Sequence, residues 1–291
     1  MAWRTVLINE RAKINFRMND INVQTMNDAF QIPIDDIRVL ILGNTRSVIT
    51  SYAINELNKK HVKIITCDEK GMPVGEYCGY HENVHQNENI LKQINWQQRL
   101  KEELWQKITS AKIANQQQAL PADIKEQYHK LLELSKKVRP GDPDNIEGQA
   151  ARQYFSRMYG KSFTRSNDEL LTNAHLNYGY SILLSAVSRE IVAAGYLTQL
   201  GVHHQSSSNA FNLASDLMEP FRPYIDRVVL SQQNLSLSLD LKLNLVNVLN
   251  EIIQFNDKRM ELAQAIQLHV LSCVKYLSQD KAELPEMDFV L

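Results

Sequence analysis

Residues 81–113, HENVHQNENILKQINWQQRLKEELWQKITSAKI, hold the change of texture that decides the fold. The stretch 81–89 is polar and has no period. From residue 90 onward, apolar residues recur every three or four positions, with Trp96 and Trp105 as large anchors, which is the pattern of a helix. Upstream of 81 the chain reads as strands. The sequence therefore predicts an α+β protein with a small N-terminal, mostly β domain over 1–84 and a larger all-helical domain over 85–291. His81 and His85 stand at i,i+4, a metal-binding spacing on a helix, but the Asn and Glu residues around them read as a solvated linker.

In the first part, RTVLIN, AKINFRMN and INVQTM are short segments with partial alternation. The Asn-Glu and Asn-Asp pairs between them read as hairpin turns. IRVLILG (37–43) and VKIITCD (62–68) are continuous apolar runs, suited to strands buried on both faces. Between them VITSYAINELNKK has a helical period, and GMPVGEYCGY reads as a last strand. Nothing here looks catalytic, so scaffolding or dimerisation is the expected role.

In the second part, ADIKEQYHKLLELSKKV continues the helices, and RPGDPDN (139–145) stops them. Asp144 is placed to cap the next helix, IEGQAARQYFSRMYG. A loop, KSFTRSND, leads to the longest apolar helix, from about Glu169 to Leu200, which reads as the central core helix and breaks at Gly201. LKLNLVNVLNEIIQFN and RMELAQAIQLHVLSCVKYL read as amphipathic helices, and the tail DKAELPEMDFVL as extended.

Composition narrows the class. Hydrophobic residues at 44% and charged residues at 22% belong to a globular chain with net charge −1. Cys67, Cys78 and Cys273 form no CxxC pair, which argues against a disulfide framework or structural zinc and fits a reducing cytoplasm. The opening MAWRTVLINERAK lacks a secretory h-region, and no apolar run is long enough to cross a membrane. With so little net charge, any nucleic acid must be held by local patches. One exists: between Gly148 and Asn167 lie Arg152, Arg157, Lys161 and Arg165, with no acid among them.

The chemistry concentrates in 201–223, GVHHQSSSNAFNLASDLMEPFRP. A polar run leads into a short helix that Pro220 and Pro223 cut off, with Asp216 and Glu219 at i,i+3 on one face. Glu219 then sits in a last helical turn, where the dipole disfavours a bare anion, and a metal or Arg222 would compensate. His203 and His204 are neighbours that cannot face the same way, so at most one is a ligand. Glu147, three residues after Asp144, reads as the far end of a capping box or as a metal ligand beside cations that could hold phosphates. The residues alone leave both readings open.

The GxxH of 201–204 followed by DLMEPFRP, with LNYGYSILLSAVSREI upstream and the Glu147 loop before that, resembles the CRISPR-associated adaptation integrase family. The start MAWRTVLIN and the wording of LNYGYS are closest to its type II-A branch. The resemblance implies a β dimerisation domain ahead of a helical catalytic domain. It implies a metal site of Glu147, His204 and Glu219, with Asp216 as a supporting acid and His203 a bystander. The implied cofactor is Mg2+ or Mn2+, since two carboxylates and an imidazole suit either. The implied reaction is attack of a prespacer 3′-hydroxyl on a phosphodiester at the edge of a CRISPR repeat, in double-stranded DNA. The DNA backbone would lie on Arg152, Arg157, Lys161, Arg165 and Arg222. The implied assembly is a homodimer, two of which are bridged by a small companion adaptation protein, with further type II-A adaptation proteins and an effector nuclease as additional partners. Two rivals use the same residues differently: a metal-dependent nuclease without integration, and a non-catalytic helical scaffold.

Overall fold

A computed structural model describes residues 4–69, 71–77, 83–167, 170–232 and 238–290. His81 and Cys78, and the expected helix start at Glu169, lie outside them. The chain divides into two compact units, Met1–Glu82 and Asn83–Leu291.

The first unit holds β1 (Arg4–Ile8), β2 (Lys13–Arg17), β3 (Asp20–Gln24), β4 (Ala29–Pro33), β5 (Ile37–Leu42), β6 (Val48–Ile49), α1 (Ser51–Lys59), β7 (Lys63–Cys67) and β8 (Pro73–Tyr77). They form two four-stranded sheets, ordered β1-β5-β7-β8 and β4-β3-β2-β6. The apolar runs become β5 and β7, parallel neighbours joined through α1. Asn19-Asp20 is a true hairpin corner: Met18 and Asn19 take φ of 54° and 64°, the left-handed pair that matches strand twist, and β2 pairs antiparallel with β3. Asn9-Glu10 is not. There the chain leaves one sheet for the other, and β1 pairs parallel with β5 instead. Ile14, Ile21, Ile37, Leu40 and Leu57 are fully buried and bind sheets and helix into one core.

The second unit holds α2 (Gln86–Ile94), α3 (Gln98–Ala119), α4 (Ala122–Gln127), α5 (Lys130–Ser135), α6 (Ile146–Tyr159), α7 (Leu171–Ala193), α8 (Asn212–Leu217), α9 (Arg222–Leu230), α10 (Leu239–Asn247), β9 (Ile252–Phe255), β10 (Lys258–Glu261), α11 (Leu262–Leu277) and β11 (Phe289–Val290). It is helical with one addition that amends the all-α expectation, a three-stranded sheet ordered β10-β9-β11. Ile252–Phe255 alternates exposed and buried, and Asn256 and Asp257 turn the hairpin with φ of 47° and 61°. The tail closes this sheet as an extended strand, Phe289 pairing with Phe255.

Three boundaries also move. The expected linker is shorter, because α2 begins at Gln86; residues 84–85 form a turn, so His85 precedes the helix and does not lie within it. Amides hold α2 in place of an apolar stripe: Asn83 and Asn89 donate to the carbonyls of Ala193 and Ala194, and Gln93 to those of Leu197 and Leu200. The core helix ends at Ala193, not Leu200, since Gly195 takes φ of 82° and closes it. Pro220 and Pro223 do not terminate a helix. Each lies in the first turn of a new one, a 3-10 turn over Glu219–Phe221 and then α9, where a missing N–H costs nothing. Glu219 therefore opens an element, and the expected dipole penalty of a last turn is absent.

Candidate active site

Three elements converge on one point. The first is α3, buried on most sides. Trp105, Ile108, Lys112 and Asn115 fall on one helical phase, so Lys112 occupies a position where the period asks for an apolar residue, and it is buried. The second is α6, whose Ile146, Ala150 and Tyr154 pack with Ile113 of α3 in one apolar cluster. That packing brings the neighbouring residues together: Lys112 Nζ donates to Glu147 Oε1 at 2.5 Å. The third is the 3-10 turn, tied to α3 by Asn115 Nδ2 donating to the Pro220 carbonyl at 2.8 Å. It sets Glu219 Oε2 2.5 Å from the same ammonium.

The start of α6 differs from expectation. Asn145, left-handed with φ of 50°, is the cap and accepts from the Gly148 N–H at 3.1 Å. Asp142 accepts from the N–H groups of Ile146 and Glu147, both at 2.9 Å. Asp144 is outside this arrangement, forked onto Arg139 by two 2.8 Å hydrogen bonds. There is thus no Asp144–Glu147 capping box. The N–H of the actual cap, Asn145, is held by the Asp142 carbonyl at 3.0 Å, and the Glu147 side chain turns to Lys112.

Asp216 anchors the loop that carries the histidines. Its fully buried carboxylate accepts from the backbone N–H groups of Val202, His203 and His204 at 2.6, 2.9 and 3.1 Å, a backbone nest for an anion. It also meets His204 Nδ1 at 2.5 Å. A carboxylate only accepts, so Nδ1 carries the proton and Nε2 is left as the basic nitrogen. A side chain at Gly201 would collide with the His204 carbonyl oxygen and lie 2.8 Å from Asp216 Oδ2, which is why the loop needs glycine there. His203 points elsewhere and stacks flat on Trp105, with ring centroids 4.2 Å apart. His204 borders a cleft of about 550 Å³ with Lys101, Gln199, Gln205 and Ser206.

Electrostatics couple the parts. The His204 imidazole is held above its ordinary pKa, first by the hydrogen bond to Asp216 and further by the charges of Glu219 and Glu147, against the effect of burial. Burial would push the Glu219 carboxyl up, but Arg222 and Lys112 outweigh it and hold it below its ordinary value. Arg222 sits 3.1 Å from Glu219 Oε1 and 4.7 Å from the centre of the Tyr180 ring. Tyr180 and Tyr154 in turn donate to the buried Asp226, whose carboxyl is pushed up by burial to about 6.

The structure therefore joins Glu147 to Glu219 through Lys112 and turns His204 toward the same region. It holds Asp216 behind the site, saturated by loop donors. Among the described residues, no three His, Cys, Asp or Glu side chains are yet gathered closely enough to hold an ion, because the ammonium stands between the carboxylates. The donor set still fits a divalent cation. Glu219 Oε2 is buried and is met by the Lys112 ammonium at 2.5 Å, an oxygen already held by cationic charge. Buried oxygens of that kind call for a cation. Lys112 is the residue that reading the sequence missed. Its signal was a charge in the core phase of an otherwise apolar and small-residue face.

The predicted DNA-binding residues divide. Arg152, Arg157 and Lys161 are exposed along and beyond α6, with Arg157 over the Tyr128 ring at 3.6 Å. Arg165 is half-buried and donates to Asn173 at 2.6 Å and Asn177 at 2.8 Å. Arg222 belongs to the site itself. Among the described residues no helix is long and apolar enough to cross a membrane.

Known proteins resemble the chain in sequence and in fold. Residues 5–238 match the family model described as CRISPR associated protein Cas1. The chain is 34% identical to a CRISPR-associated endonuclease Cas1 of Neisseria meningitidis, over 99% of this chain and 97% of that one. In fold it resembles a casposase bound to integration product, with TM-score 0.80, 20% identity and 98% and 95% of the two chains covered. It also resembles part of a Cas6-RT-Cas1–Cas2 complex, with TM-score 0.77 and 18% identity, over 99% of this chain and 36% of that one.

Proposed function

This chain belongs to the Cas1 family, and from that premise we propose that it is a metal-dependent DNA integrase that inserts prespacer DNA into a CRISPR array. The observation that carries this is the convergence of Glu147 and Glu219, from separate helices, on one cationic point beside the Asp216-oriented His204. Glu147, Glu219 and His204 Nε2 would hold Mg2+ or Mn2+, a mixed oxygen and nitrogen set. The bound ion would polarise the scissile phosphoryl group and offset charge on the attacking and leaving oxygens.

The chain's own residues supply the rest. Asp216 fixes the His204 tautomer and ring direction, the usual arrangement behind a ligating imidazole. Arg222, held by Glu219 and Tyr180, keeps positive charge beside the carboxylates. Arg152, Arg157 and Lys161 offer exposed cations to a phosphate backbone. In the reaction, the prespacer 3′-hydroxyl gives its proton to solvent and its oxygen bonds to phosphorus, while the repeat-edge P–O bond breaks and the departing 3′-oxygen takes up a proton as a free hydroxyl, so one phosphodiester replaces another without ATP.

A casposase solved with an integration product and a Cas1 solved with Cas2 share this fold. They support DNA as substrate and a Cas2-like companion as partner; two homodimers, each formed through residues 1–84, would be bridged by that companion. The type II-A branch, with its further adaptation proteins and effector nuclease, follows from the LNYGYS and MAWRTVLIN wording. The test is product analysis on a supercoiled plasmid carrying a CRISPR repeat. Prespacer joined to a repeat edge supports the reading. Cutting without joining contradicts integration and leaves a nuclease.

A further inference from the structure

We propose that Lys112 is the resident counter-ion of the metal-free site, and that a divalent cation loads by displacing its ammonium, so that Lys112 sets how tightly the site holds metal. The proposal rests on the reading of Glu147, Glu219 and His204 as ligands.

The geometry leaves little alternative. Lys112 Nζ is 2.5 Å from Glu147 Oε1 and 2.5 Å from Glu219 Oε2. A divalent ion held by these two carboxylates would need the place the ammonium fills, and two cations cannot share it. One of the two basic residues on Glu219 must give way. Arg222 engages the other oxygen, Oε1, and its guanidinium is backed by the Tyr180 ring, so it can stay. Lys112 is a point charge on a flexible four-carbon stem, reaching from α3 with no ring stacked on its head group among the described residues. In the metal-free protein it neutralises two carboxylates that would otherwise repel each other at close range. Metal binding at this site is then an exchange of one cation for another.

The measurement is Mn2+ affinity, read from the free-ion EPR signal at fixed ionic strength, for the full chain and for Lys112→Met and Lys112→Gln. Removing a competing cation should tighten Mn2+ binding at least roughly tenfold in both variants, and the rise in melting temperature on adding Mn2+ should exceed that of the unmodified chain. A lysine that merely supported the fold would give the opposite sign, so unchanged or weaker binding overturns the proposal. Should Lys112→Met fail to fold without metal, Lys112→Gln, which keeps a donor for Glu147, carries the same comparison. If the unmodified chain shows no Mn2+ site that Glu219→Gln removes, the ligand assignment itself falls, and this proposal with it.

Discussion

The buried carboxylate of Asp216 holds the imidazole of His204 by Nδ1 at 2.5 Å while accepting the backbone N–H groups of residues 202–204. One side chain thus fixes both the path of the loop and the direction of the ring. Replacing Asp216 with Ala strands those donors inside the protein. The expected loss of folding stability is about 3–5 kcal/mol, read by urea denaturation. His204→Ala, at a half-exposed position, should cost less than about 1 kcal/mol. Equal losses would mean that the loop does not depend on Asp216.

Glu219 and Glu147 are expected to separate in the same way. Glu219 is almost fully buried between Lys112 and Arg222, whereas Glu147 is partly exposed. Glu219→Ala strands the buried Arg222 and removes one of the two carboxylates on Lys112, and should destabilise by about 3–5 kcal/mol. Glu147→Ala should cost about 1 kcal/mol. Both should reduce strand transfer by more than the roughly 10–100-fold typical of losing a group behind the ligands. Stability and activity measured side by side check this, and a stable Glu219→Ala variant would refute the burial argument.

Much of this was legible in the sequence. The apolar runs at 37–43 and 62–68 read as strands buried on both faces because they are short and rich in β-branched residues, while their parallel pairing shows only in the fold. The helical texture after residue 90 is equally local. What escaped depended on tertiary placement. Asn145 rather than Asp144 caps α6 because the loop enters left-handed, which composition does not record. The hairpin at Asn256-Asp257 hid between two apolar segments whose short alternation also fits a helix. Lys112, though a charge in a core phase, carried no signal of a site until α6 and the 3-10 turn brought Glu147 and Glu219 against it. Asp216 and Glu219 were visible as a pair, but only the fold shows that one holds the loop and the other faces the cation.

Asp226 gives a pH signature. Burial holds its carboxyl at about 6 in the folded chain, against an ordinary 3.8. The folded state therefore keeps a proton that the unfolded chain has released. Stability should fall as pH rises from about 4 to about 6 and remain lower above that, by about 3 kcal/mol from this group. This is the reverse of a carboxyl whose folded pKa is depressed. Asp226→Asn should flatten that dependence in denaturation midpoints compared at pH 4.5 and 7.5. An unchanged pH profile would place the titration elsewhere.

The basic residues should also divide by exposure. Replacing Arg152, Arg157 and Lys161 with Ala should lower the slope of log binding constant against log salt by about 1 for each phosphate no longer neutralised, with the fold intact. Arg165→Ala should instead destabilise, by about 1–2 kcal/mol, because its guanidinium ties 165 to Asn173 and Asn177. An unchanged salt slope in the triple variant would move the DNA path off α6.

The most direct test is whether His204 ligates the metal. Pulsed EPR of bound Mn2+ should show nitrogen modulation from one imidazole in the unmodified chain and in His203→Ala, and none in His204→Ala. Modulation that survives in His204→Ala, or vanishes in His203→Ala, would contradict the site.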